Sequence, residues 1–184
     1  MNLLKKVIFL DRDGVINQDS PDYIKSWEEF EFIPGSLDAL QELHLNGFTI
    51  ILITNQSAVP RKLMTHEALG DIHSRLRDTV ESNGGCITDI FYCPHLPTDG
   101  CRCRKPKPGL IQQARDKYQI DLASAVMIGD SAKDIECARN AGCNKAILVR
   151  TGNGNKAVKL LEAANIVPDY IADNLQAAVQ WILE

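Results

Sequence analysis

The sequence predicts an α/β protein: a Rossmann-like, doubly wound parallel sheet in one domain spanning 1–184. Three observations carry this. Short apolar runs alternate with amphipathic helical stretches along the whole chain. That alternation is the signature of a parallel sheet covered on both faces. The runs are apolar throughout, as buried strands are. And the polar motifs fall where strands end, the edge at which such folds bind ligands.

Residues 6–10 read as the first buried strand, which stops abruptly at Asp11-Arg12-Asp13-Gly14. Residues 15–35 are irregular and polar, with Trp27, Phe30 and Phe32 among them. A connection this long after a strand is often functional. Ser36 is expected to cap a helix carrying Leu37, Leu40, Leu43 and His44 on one face, with Gly47 at its end. Residues 48–53 form the second strand, running into Thr54-Asn55-Gln56-Ser57. Thr65 caps a helix to about Ser82, and Gly84-Gly85 ends it. Residues 87–92 are the third strand, followed by a stretch rich in Pro, Gly and Cys up to Gly109. A helix then covers 110–118, and a fourth strand, 125–128, ends at Gly129-Asp130. A helix from Ala132 to Gly142, a strand at 146–149 and a helix to about Asn165 follow. The short strand 170–172 and an amphipathic helix with Leu175, Val179, Ile182 and Leu183 close the chain.

Composition bounds the function. At 184 residues, 45% apolar and 24% charged, the chain is an ordinary globular protein. A net charge of −4 gives no footprint for nucleic acid, and no run nears the ~18 apolar residues of a membrane span. The N-terminal run flows into the acidic motif without a cleavage site, so a cytoplasmic protein is expected. In that reducing compartment the six cysteines are not expected to form structural disulfides.

Asp11 and Asp13 lie two apart at a strand end and can share a side. Close carboxylates repel unless a cation stands between them or one holds a proton. D-x-D-G alone leaves two readings open, a metal-assisted acid pair and a plain acidic turn. Thr54, Arg104, Lys105 and Asp130 fall on the same predicted rim, and that convergence favours chemistry. Asp11 is then the nucleophile and Asp13 the proton shuttle. Thr54 and Lys105 face the phosphoryl oxygens, and Asp130 completes a magnesium site with Asp11. Arg104 offers a fork for phosphate or sugar hydroxyls. Asp134 either orients a metal-bound water or is a solvated helix residue. Lys107 is left as a solvated charge.

Cys93, His95, Cys101 and Cys103 make three thiolates and an imidazole, the set of a closed structural zinc site. Free thiols, or a redox pair at Cys101 and Cys103, are the competing readings. Cys86, Cys137 and Cys143 read as packing residues, and His44, His66 and His73 as surface or core histidines.

D-R-D-G at 11–14, T-N-Q-S at 54–57, C-R-K-P-K-P-G at 103–109 and G-D at 129–130 resemble the haloacid dehalogenase superfamily of phosphatases, over nearly the whole chain. The zinc loop narrows the resemblance to members acting on a small-molecule sugar bisphosphate. It implies a capless, monomeric, magnesium-dependent phosphatase with Asp11, Asp13 and Asp130 at the magnesium and a structural zinc. By the same resemblance Ser20, Pro21, Asp22, Tyr23, Thr54, Asn55, Gln56, Ser57, Arg104 and Lys105 line the substrate. The rival readings are histidinol-phosphate phosphatase and a zinc-stapled sugar-phosphate-binding protein without turnover.

Overall fold

A computed structural model of the chain describes residues 3–184. Six strands form one parallel sheet: β1 (Val7–Leu10), β2 (Thr49–Asn55), β3 (Asp89–Cys93), β4 (Val126–Gly129), β5 (Lys145–Val149) and β6 (Tyr170–Ala172). Their order is β3-β2-β1-β4-β5-β6, so the winding reverses between β1 and β4. Six helices connect them: α1 (Ser36–Leu45), α2 (His66–Ser82), α3 (Gly109–Tyr118), α4 (Ala132–Ala141), α5 (Gly154–Ala163) and α6 (Leu175–Leu183). No separate cap domain is evident among the described residues.

The period of two along each strand sorts its side chains between two cores. Ile8 and Leu10 of β1 and Ile50 and Leu52 of β2 pack under α1, α2 and α6. Val7, Phe9, Ile51 and Ile53 pack under α3, α4 and α5. Both faces are covered, which is why β1 and the centre of β2, residues 50–53, are apolar at every position. The register pairs Leu10 with Leu52 and Ile128, which brings the ends of the three central strands to one rim.

Local chemistry corrects some helix details. The cap of α1 is Gly35, at φ 82°, and Ser36 is instead the first helical residue, its hydroxyl buried without a partner. His44 is exposed; the buried face of α1 is Ser36, Ala39, Leu40 and Leu43. Thr65 does cap α2, its side chain accepting from the N–H of Ala68. The long connection after β1 is anchored by its aromatics: Trp27 stacks on Phe30 at 4.9 Å, and Phe32 meets Phe30 edge-on at 5.1 Å. Cys86 is exposed rather than packed, whereas Cys137 and Cys143 are buried.

Candidate active site

The site lies where the strand order reverses, at the carboxyl ends of β1, β2 and β4, the position at which open α/β sheets leave a crevice. The crevice opens into a cavity of about 440 Å³. Asp11, Asp13, Ser20, Pro21, Tyr23, Thr54, Asn55, Gln56, Ser57, Arg104, Lys105 and Asp130 all line it. Asp22 does not. The turn closed by the N–H of Tyr23 on Ser20 O turns it to solvent, where its carbonyl accepts from Lys25 Nζ at 2.9 Å.

Asp11 follows β1 directly; its N–H still donates to Ile128 O, which continues the β1–β4 ladder. Its Oδ2 lies 2.8 Å from Lys105 Nζ, and its Oδ1 accepts from the N–H of Arg12 at 2.7 Å. Lys105 also reaches Asp134 Oδ1 at 2.6 Å. Asp134 is therefore no solvated helix residue: it is fully buried, its other oxygen closing the α4 capping box by accepting from Ser131 N–H and Oγ. Burial works against the charge of Lys105, but Asp11 and Asp134 prevail and hold its pKa above the ordinary lysine value. Lys105 is set from two sides, since its N–H donates to Asn55 Oδ1 at 3.1 Å and its carbonyl accepts from Asn55 Nδ2 at 3.3 Å.

Asp13 has a different environment two residues on. Arg12 grips it through Nε at 3.1 Å and Nη2 at 2.7 Å, and Asn17 Nδ2 and Gln56 Nε2 each donate at 2.9 Å. Burial alone would raise its pKa; the Arg12 charge and these donors outweigh burial and bring it below the usual carboxylate value. Arg12 itself is buried at 1% exposure, its cation facing the Phe30 ring and its Nη1 lying 3.4 Å from His73 Nε2. Burial and the Arg12 charge push His73 down to about 3, so it stands neutral behind the pair.

The carboxylate of Asp13 thus turns to Arg12, while the compact acidic cluster is Asp11, Asp130 and Asp134, with one oxygen from each within 4.8 Å of the others. Burial, with repulsion from its neighbours, pushes Asp11 up to about 8 and Asp130 up to about 7. Buried carboxylates this close, with only Lys105 between them, are a donor set that a hard divalent cation such as magnesium would relieve. Asp130 Oδ2 accepts from the N–H of Asn153 at 2.7 Å, and Asn153 Nδ2 also reaches Asp19 Oδ2 at 2.8 Å. Gly14 and Gly152 both stand against Asp130, where a Cβ on either would strike its carboxylate. Asn153 and Asp19 had no sequence signal, being far from their partners in the chain. Arg12 had one: a guanidinium between two acids is a natural fork for either.

The thiol cluster is as compact. Cys93, Cys101 and Cys103 have Sγ atoms 3.3–3.6 Å apart, and His95 Nδ1 lies 3.5 and 3.3 Å from Cys93 and Cys103. Ligands about 2.3 Å from a tetrahedral zinc are separated by roughly 3.7 Å, so four donors at this spacing suit one zinc ion. The loop also positions Arg104, whose Nη1 donates to His95 O at 3.1 Å and Ser57 Oγ at 2.9 Å. Lys107 is not a free solvated charge, because its Nζ donates to the carbonyls of Gly100 and Cys101 at 2.9 and 2.7 Å.

Comparison with known proteins agrees with this geometry. The D-glycero-beta-D-manno-heptose-1,7-bisphosphate 7-phosphatase of Bordetella bronchiseptica is 44% identical over 181 residues, covering 97% of this chain and 98% of its own. Its counterpart in Pseudomonas aeruginosa is 42% identical over 177 residues, covering 96% and 99%. A crystal structure of the D,D-heptose 1,7-bisphosphate phosphatase from B. bronchiseptica, complexed with magnesium and phosphate, superposes with a TM-score of 0.90 at 40% identity, covering 97% of this chain and 98% of that one. The family described as haloacid dehalogenase-like hydrolase matches residues 5–139, from just before β1 to near the end of α4. With paired acids after β1, a lysine between carboxylates and an aspartate after β4, the chain belongs to the haloacid dehalogenase-like hydrolases.

Proposed function

We propose that the chain removes the 7-phosphate of D-glycero-D-manno-heptose 1,7-bisphosphate, a step in making activated heptose for surface polysaccharide. The observation that carries it is the union of Asp11, Lys105 and Thr54 with Asp13 held separately in the Arg12 fork, in a chain similar over nearly its full length to phosphatases of that name.

Asp11 attacks phosphorus through a carboxylate oxygen, and an aspartyl phosphate forms as the bond from phosphorus to the sugar oxygen breaks. Asp13 stands as a carboxylate in the empty site; it takes up a proton as the phosphate dianion enters and offsets the Arg12 charge, gives that proton to the leaving oxygen, and the Arg12 fork stabilises the carboxylate that results. A water then attacks the aspartyl phosphate, gives its proton to Asp13, and phosphate leaves with Asp11 restored. Gln56 Nε2 donates to Thr54 Oγ1 at 3.0 Å as well as to Asp13, so the Thr54 hydroxyl keeps its own hydrogen for a phosphoryl oxygen. Lys105 places a fixed cation where negative charge gathers. Asp11 and Asp130 would hold magnesium, with Asp134 beside them. When bound, it offsets the repulsion between the phosphoryl oxygens and Asp11. Cys93, His95, Cys101 and Cys103 would hold zinc for structure alone, since no ligand position stays open.

The site draws on one chain, which supports action as a monomer. No helix among the described residues is long and apolar enough to cross a membrane. A phosphorylated sugar substrate and unpaired thiols both suit the cytoplasm. The test is phosphate release from heptose 1,7-bisphosphate and from histidinol phosphate, side by side with magnesium. One equivalent released from the bisphosphate, with slow turnover of histidinol phosphate, supports the reading. The reverse preference, or binding without turnover, overturns it.

A further inference from the structure

The buried face of α2 carries Leu69, Ile72, Leu76 and Val80, and one polar side chain among them, His73. His73 is buried, whereas His44 and His66 are exposed and His95 belongs to the thiol cluster. An aliphatic side chain would serve packing at that position. Taking an imidazole out of water is costly unless it meets a polar partner. The partner of His73 lies 61 positions away in the chain: its Nε2 stands 3.4 Å from Arg12 Nη1.

Arg12 is almost wholly buried, so its guanidinium cannot turn to bulk water. Nε and Nη2 are taken by Asp13, with Gln56 Oε1 3.5 Å from Nη2. Nη1, the corner facing away from Asp13, has one acceptor among the described residues, His73 Nε2. A guanidinium only donates, so Nε2 accepts and the ring proton sits on Nδ1. Only a neutral ring can do this, and burial with the Arg12 charge keeps His73 neutral.

Both partners are held from other sides. The Phe30 ring lies 5.8 Å from the Arg12 guanidinium carbon. Tyr92 of β3 meets His73 edge-on at 5.7 Å. The guanidinium is planar, so a contact on the Asp13 edge and another at the opposite corner together define the plane of the fork.

We propose that His73 is a positioning residue: by accepting from Arg12 Nη1 it fixes the plane of the Arg12 fork, and so the direction in which Asp13 faces the leaving oxygen. His73 does not line the cavity, whereas Arg12 and Asp13 do, so it acts through them. The inference rests on the phosphatase reading above, with Asp13 as proton donor, whichever sugar phosphate is cleaved.

The experiment compares His73→Met, His73→Asn and His73→Gln in kcat/KM for heptose 1,7-bisphosphate and for 4-nitrophenyl phosphate, with magnesium. Met removes the acceptor at similar volume, Asn carries one that is a bond too short, and Gln brings its carbonyl near the place of Nε2. A poor leaving group depends on a well-placed proton donor and a good one depends on it far less. Met and Asn should therefore each lose about 10–100-fold on the sugar bisphosphate and less than about threefold on the nitrophenyl ester. Gln should stay within about threefold of wild type on both. Retained turnover of the nitrophenyl ester shows that a variant has folded, and should Met not fold, Asn against Gln decides. Equal losses on the two esters, undiminished bisphosphate turnover in Met and Asn, or Gln no better than Asn overturns the assignment while leaving the phosphatase reading intact. A wild type that cleaves neither ester overturns both.

Discussion

Asp11 and Asp13 share a residue type and stand two positions apart, yet they meet different surroundings. Lys105 and the acidic cluster surround Asp11, whereas Arg12, Asn17 and Gln56 place four donor contacts on Asp13. Asp11→Asn keeps the shape and removes the attacking charge. Turnover should fall at least about 10⁴-fold with the fold retained, measured on protein free of wild-type enzyme. Residual activity above about one hundredth of wild type would exclude Asp11 as the covalent nucleophile. Asp13→Asn should cost about 10²–10⁴-fold on a sugar phosphate. The loss should be much smaller on 4-nitrophenyl phosphate, whose leaving group needs little protonation. Equal losses on the two esters would mean that Asp13 does not protonate the leaving oxygen.

The zinc loop acts as an element, and the structure shows which charge it governs. Arg104 bonds to the loop carbonyl of His95, whereas Lys105 is gripped by Asn55 at the end of β2 and by two buried carboxylates. Loss of zinc should therefore release Arg104 before Lys105. Cys101→Ser spares the core, unlike Cys93, which is fully buried. It should lose zinc and raise KM for heptose 1,7-bisphosphate, with up to about 100-fold lost in kcat/KM, because a misplaced positioning charge costs that much. Turnover of a small phosphate ester should fall far less. Metal analysis per chain and the two substrates together check this; undiminished kcat/KM in a zinc-free variant would remove the loop from recognition. Magnesium should not rescue the variant, since it prefers oxygen donors.

Across the whole molecule the site is kept at a cost to stability. Asp11 and Asp130 have folded pKa values of about 8 and about 7, above those of free carboxylates. For such groups the folded state binds protons more tightly than the unfolded one. Their favourable contribution is complete below about pH 4 and is lost as pH rises through 7–8. The metal-free protein should consequently be weakened by this pair at pH 8. Magnesium should raise the melting temperature by several degrees there, as about 2.7 kcal/mol at a hundredfold excess over Kd implies, and by much less at pH 5.5. Asp130→Asn keeps an oxygen for the Asn153 N–H and removes a charge. It should raise the metal-free melting temperature at pH 8 while abolishing both the magnesium shift and activity. Differential scanning calorimetry with and without magnesium at both pH values measures all of this. A larger magnesium shift at pH 5.5 would contradict the assignment of these carboxylates to the cation.

Strand and helix order, the acids that end β1 and β4, the threonine that ends β2 and the C-x-H…C-x-C set were legible in the sequence. Each is written locally: an apolar run that stops, a cap, a spacing of two or three residues. The partners of those groups were not. Asp134 looks in sequence like any acid on a helix, and only the packing of α4 on the sheet buries it against Lys105. Asn153 meets Asp19 across 134 positions and Asp130 across 23, and Thr151 Oγ1 donates to Gly14 O across 137. His44 shares the helical spacing of Leu37, Leu40 and Leu43, yet it lies exposed on α1. Periodicity reports which way a side chain leaves its own element. Which charge it meets depends on where loops from separate crossovers come to rest on one rim, and that is set by the winding of the sheet.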